Sequence, residues 1–128
     1  MDVCSDFVST GGHHYVLTLV DRHTRYMWAY GMRVMSGSDN IQAMYEFFLD
    51  YGKPPKIFYT NFVKRMIKVD TQKWLLTNKS KNVATPSGCQ SQNRPVKRTQ
   101  CSIMKTRRAY LTKKKFLQEY WFYTISYA

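Results

Sequence analysis

Residues 15 to 32 read "YVLTLVDRHTRYMWAYGM", and their pattern decides the fold. Tyr15 to Asp21 is β-branched and apolar with partial alternation, and Arg25 to Met32 is a second such run. The polar stretch "RHT" between them is short enough to join two antiparallel strands. Upstream, "TGGHH" offers Gly11 and Gly12 as turn residues, so "MDVCSDFV" is expected as a third strand, clipped at its start. Three strands therefore open the chain.

A helix follows in "SGSDNIQAMYEFFLDYGKPP". Ile41, Met44, Tyr45, Phe48 and Leu49 recur at i, i+3, i+4, i+7 and i+8, an apolar stripe suited to packing on a sheet. Ser38 or Asp39 is the expected cap, Gly52 the closing residue, and Pro54 and Pro55 forbid continuation. "KIFYT" reads as a short buried strand ending at Asn61, where α/β sheets place their chemistry. A helix is expected around Ile67 to Leu76, then an extended piece, "KNVATPS". The polar "SGCQSQNRP" leads into a helix from Val96 to Thr112, with Val96, Ile103, Met104 and Leu111 on one side. Phe116, Leu117, Tyr120, Trp121, Thr124 and Ile125 suggest a last helix.

Together the 128 residues read as one domain, with 44% hydrophobic and 16% aromatic residues to fill a core. Cys4, Cys89 and Cys101 are odd in number and lack CxxC spacing, which argues against a disulfide framework. With these cysteines and no secretory segment, an intracellular, reduced chain is expected, and no apolar run approaches the ~20 residues of a membrane span. The net charge of +12 is unevenly placed: twelve Lys and Arg and no acid lie between Asp70 and Glu119. Such a field suits a polyanion, whose condensed counterions are released on binding. A merely solvated basic face is the competing reading.

The order of elements, with "MDVCSDF", "YVLTLVDRHTRYMWAY", "FFLDYGKPPKIFYTNF", "QSQNRPVKR" and "AYLTKKKFLQEYWFYTI", resembles the integrase catalytic core of LTR retrotransposons, most closely the copia-like class. The resemblance covers nearly the whole chain. It implies an α/β, RNase H-like mixed sheet of about five strands with helices on both faces. It also implies DNA integration by strand transfer, with Mg²⁺ or Mn²⁺ held by an Asp, Asp, Glu triad. Aligned on those motifs, the triad falls on Asp2, Asn61 and Lys97, and thirty-five residues, 62 to 96, separate the last two, as is typical of the family's second and third acids. The zinc module that often precedes such cores is not seen.

Two of these three groups have the wrong chemistry for metal. Divalent magnesium wants oxygen ligands, preferably carboxylates, and paired ions need anions to offset their repulsion. Asn61 offers one neutral oxygen, and protonated Lys97 offers no lone pair and a repelling charge. Only Asp2 survives as a vestigial ligand, and no bound metal is expected. At about 4 Å an Asp2–Lys97 pair attracts by roughly 4 kcal/mol in an effective dielectric of 20, before desolvation, so the ammonium is expected where metal would sit. Arg94 and Pro95 replace the family's usual Gly and aliphatic residue, and Pro95 is expected to disturb the start of the helix. Asn, Lys and Arg at these positions each arise by one G-to-A change, which suggests a decayed transposon copy. Pro95 does not fit that pattern.

Other residues have blander readings. Asp21 is expected to cap the turn into "RHTR". His13, His14 and His23 lack paired cysteines at zinc spacing and read as surface residues. Trp28, Trp74 and Trp121 read as core, while Tyr59, near Asn61, is a candidate base-stacking platform. Within the basic run, Lys97, Arg98, Lys105 and Arg108 are the candidates for DNA phosphate contact, although helical geometry is expected to spread the run around its helix rather than along one stripe. The expected partner is DNA bound without sequence preference, with a homodimer and a nuclear location as corollaries. The functional alternatives are a non-catalytic DNA-binding module and a transposon remnant with no function.

Overall fold

The computed structural model describes residues 2–5, 11–61, 69–85 and 94–114. The opening hairpin forms as its pattern requires: β2 (Tyr15–Val20) pairs antiparallel with β3 (Met27–Met32), and β1 (Asp2–Ser5) pairs with the other edge of β2. The turn is closed by Asp21, whose carboxylate accepts from the amides of His23 and Thr24 at 3.2 and 3.1 Å and from the Thr24 hydroxyl at 2.6 Å. These bonds, the hydroxyl first, hold its pKa below the usual carboxylate range.

Strand β2 is buried on both faces. Leu17 and Leu19 point one way, opposite Tyr30 and Trp28, while Val16 points the other way, opposite Gly31. The first face is covered by α1 (Gly37–Tyr51), the second by α3 (Arg94–Lys114). The expectation of helices on both faces of a sheet is met here.

Helix α1 starts two to three residues earlier than expected. Ser36, not Ser38 or Asp39, is the N-cap and accepts from the Asp39 amide at 3.1 Å, while the Asp39 carboxylate reaches back to the Val34 amide at 2.9 Å. Gly52 ends the helix at φ 83°, the left-handed conformation that favours glycine. The buried face is also rotated from the expected stripe: Ala43, Met44, Phe47 and Phe48 are inside, whereas Tyr45 and Leu49 are 51% and 65% exposed. Small Ala43 lets the helix approach the sheet, and two phenylalanines bury more apolar area than Tyr45 and Leu49 would. Tyr30 on β3 donates to the Asp50 carboxylate at 2.5 Å, fastening the far end of α1, and burial followed by that bond raises the Tyr30 pKa.

The chain continues through β4 (Ile57–Asn61), α2 (Val69–Thr77) and β5 (Lys81–Thr85), with β4 and β5 parallel. Both the expected middle helix and the extended piece are present. Among the described residues the strands form an antiparallel set, β1-β2-β3, and a parallel pair, β4-β5, rather than one continuous mixed sheet. Side chains join them: Phe47 lies against Trp28 at 5.1 Å and Phe58 at 6.0 Å, and Phe48 stacks on Trp74 at 5.0 Å. Trp28 and Trp74 are thus core residues, as expected. The last helix, with Trp121, lies outside the described residues.

The rotated face of α1 predicts unequal costs for adjacent residues. Phe48→Ala should lose about 3–5 kcal/mol in chemical denaturation, and Leu49→Ala under about 1 kcal/mol. Equal losses would restore the expected stripe.

Candidate functional site

Asp2 opens β1 in register with Thr18, Asn61 closes β4 in register with Thr85, and Lys97 lies near the start of α3, half-buried. Helix α3 packs on β1 and β2, which brings the Lys97 helix and the Asp2 strand into adjacent layers. Strand β4 meets the start of α3 and the end of β2 at a cavity of about 170 Å³, walled by Asp21 and Arg22 after β2, Tyr59 on β4, and Pro95 and Val96 on α3. Asn61 is two residues beyond that wall and Lys97 is one.

Tyr59 faces a cation. The Arg22 guanidinium carbon lies 3.6 Å from its ring centroid, a cation–π contact that occupies one face of the expected stacking platform. Nothing in the spacing of the sequence links Arg22, a turn residue, with a strand so far downstream, and it was not among the expected site residues.

Helix α3 differs from expectation in two ways. It begins at Arg94, so Pro95 sits in the first turn, where no intrahelical amide donor is needed and the fixed φ of proline is helical. Pro95 opens the helix instead of disturbing it. The basic residues also fall on one stripe: Arg94, Arg98, Lys105 and Arg108 are all exposed at i, i+4, i+11 and i+14, with Lys97 at its edge. Val96, Ile103 and Arg107 are buried on the opposite side. At 1.5 Å per residue the stripe runs about 21 Å. Arg107, a member of the same basic run, belongs to the packed face, and only the pattern of exposure separates it from Arg108.

Such a stripe can follow a row of phosphates, since contacts of this kind position a nucleic acid without reading its bases. The metal chemistry fits less well. The positions assigned by resemblance to the triad carry one carboxylate, one amide and one ammonium, which do not make a site for paired divalent ions. Among the described residues no group of three or more His, Cys, Asp or Glu gathers as metal ligands. His14 and His23 are exposed; His13 is half-buried, and its burial, then the Arg33 charge, lowers its pKa. Cys101 is a free, exposed thiol. Among the described residues no helix is long and apolar enough to cross a membrane.

No family model and no curated protein sequence matches the chain. Solved structures do. The HTLV-2 integrase catalytic core domain, in complex with magnesium and in a trimeric form, superposes with a TM-score of 0.73 at 15% identity, over 98% of this chain and 79% of that one. The simian T-cell lymphotropic virus intasome in complex with PP2A regulatory subunit B56 gamma gives 0.80 at 13% identity, over 98% of this chain and 45% of that one. At these identities the likeness is one of fold: the chain has the α/β architecture of retroviral integrase catalytic cores.

The Arg22–Tyr59 contact predicts measurable coupling. In a double-mutant cycle, Arg22→Ala and Tyr59→Ala should show about 0.5–1 kcal/mol of interaction in denaturation midpoints. Strict additivity would mean that the contact contributes nothing to stability.

Proposed function

We propose that this chain is a non-catalytic nucleic-acid-binding domain built on an integrase core, descended from an LTR retrotransposon of the copia-like class. The observation that carries the reading is the single exposed stripe of Arg94, Arg98, Lys105 and Arg108, on a fold shared with integrase cores. Its ancestral activity is DNA integration by metal-dependent strand transfer. Asp2, Asn61 and Lys97 no longer supply the anionic cage which that reaction needs, so Mg²⁺ or Mn²⁺ is not a working cofactor here. Lys97 provides a fixed positive charge near the Asp2 strand in place of the metal's. The partner is DNA, held through its phosphates and indifferent to sequence, and a nuclear location and pairing with a second copy belong to the same proposal.

The second reading, a remnant that folds but binds nothing, is separated by one titration. A fluorescently labelled duplex should bind with an affinity that falls steeply as salt rises, with a log–log slope of about −3 to −4 for four neutralised phosphates. Lys105→Gln combined with Arg108→Gln should reduce that slope by about 2. Failure to bind at low salt would leave the remnant reading in place.

A further inference from the structure

A second hollow, of about 420 Å³, opens where the β2–β3 turn meets the start of α3, and Arg25, Arg94, Arg98 and Thr99 line it with Val20 and Pro95. Three arginines from two separate elements thus line one hollow. No carboxylate lines the hollow among the described residues. The acid in the same turn, Asp21, already accepts from His23 and Thr24. The Thr99 hydroxyl donates to the Pro95 carbonyl at 2.9 Å, so the arginines supply the donors.

Arginine cannot shed its proton in a protein, so three of them around one hollow repel each other at every accessible pH. An anion with several oxygens relieves that repulsion, and phosphate matches the forked donors of guanidinium better than a single-plane carboxylate does. Arg25 reaches the hollow from the β2–β3 turn. Its φ is 64°, a left-handed conformation that is uncommon for a residue other than glycine or asparagine. That backbone belongs to the hairpin turn, in which the Arg25 amide donates to the Asp21 carbonyl at 2.9 Å, and it places Arg25 at the hollow.

We infer that Arg25, Arg94 and Arg98 form a seat for one phosphate group. The inference deepens the nucleic-acid reading, because the seat would place one backbone phosphate at the end of the α3 stripe. Arg25 then fixes where the polymer crosses from helix to turn. A free phosphate offers the same chemistry, and the two sources are distinguished by experiment.

Arg25→Asn is the informative variant, since asparagine tolerates the left-handed backbone and the turn is kept. Arg98→Gln, on an exposed helical position, removes a second cation without touching the turn. Each variant and the parent chain would be measured in two ways: by thermal melt with millimolar inorganic phosphate, and by salt titration of a labelled duplex. The expected result is an unchanged melt without ligand, with either variant losing about 1 unit of salt slope on the duplex. A phosphate-induced rise in melting temperature, lost in both variants, supports the seat even if the parent chain fails to bind duplex; that pattern assigns it to free phosphate and rejects the nucleic-acid reading alone. A parent chain that binds duplex with the same slope as both variants, and melts identically with and without phosphate, overturns the seat and removes Arg98 from the phosphate contacts of the stripe, leaving Lys105 and Arg108 to carry the nucleic-acid reading.

Discussion

The relation between the two sets of strands depends on two adjacent phenylalanines. Phe47 and Phe48 sit on one helix and touch elements that share no backbone ladder among the described residues: Trp28 of the antiparallel sheet, Phe58 of the parallel pair and Trp74 of α2. Edge and stacked geometries are both used, at centroid separations where aromatic pairs add to simple area burial. Because this contact carries the relation between the two sheets, it also sets the position of the Tyr59 strand relative to the end of β2. The cavity between them, and the reach of Arg22 onto Tyr59, follow from that placement.

The other side of the sheet is fixed by a plainer constraint. Strand β2 must bury residues on both faces, so Val16 needs a cover, and α3 supplies it through Ile103 with Met104 and Leu111 nearby. Once that face is committed, helical geometry leaves Arg94, Arg98, Lys105 and Arg108 no choice but solvent. The basic stripe is therefore a consequence of how the core is filled. Its chemistry is set by the absence of any acid from residue 71 to residue 118.

How much of this was legible in the sequence varies with the kind of signal. The hairpin was, because its two runs and polar turn leave few other pairings, and so was the Asp21 turn. Gly52 was legible as the end of α1 because no other residue there takes the left-handed conformation cheaply. The face of α1 was not: apolar residues occur at so many positions between Ile41 and Leu49 that periodicity admits two rotations, and only packing against Trp28 chooses between them. The α3 stripe was hidden for a related reason, since buried Arg107 interrupts the basic pattern and makes it look spread around the helix. Pro95 reads as a breaker until the start of the helix is known. Arg22 over Tyr59 and Arg25 beside Arg94 join residues distant in the chain, and no local pattern encodes such pairs.

We propose that Asp2, with Asn61 and Lys97 at the spacing the resemblance implies, marks an integrase-like core without its metals. A melt of the unmodified chain with and without millimolar Mg²⁺ tests this most directly. A ligand that binds only the folded state raises its stability by RT ln(1 + [L]/Kd), about 2.7 kcal/mol at a hundredfold excess over Kd, which is several degrees for a domain of this size. The account predicts a cooperative transition whose midpoint does not move with metal. A clear upward shift that disappears in Asp2→Ala would contradict it and show that a metal site survives on this fold.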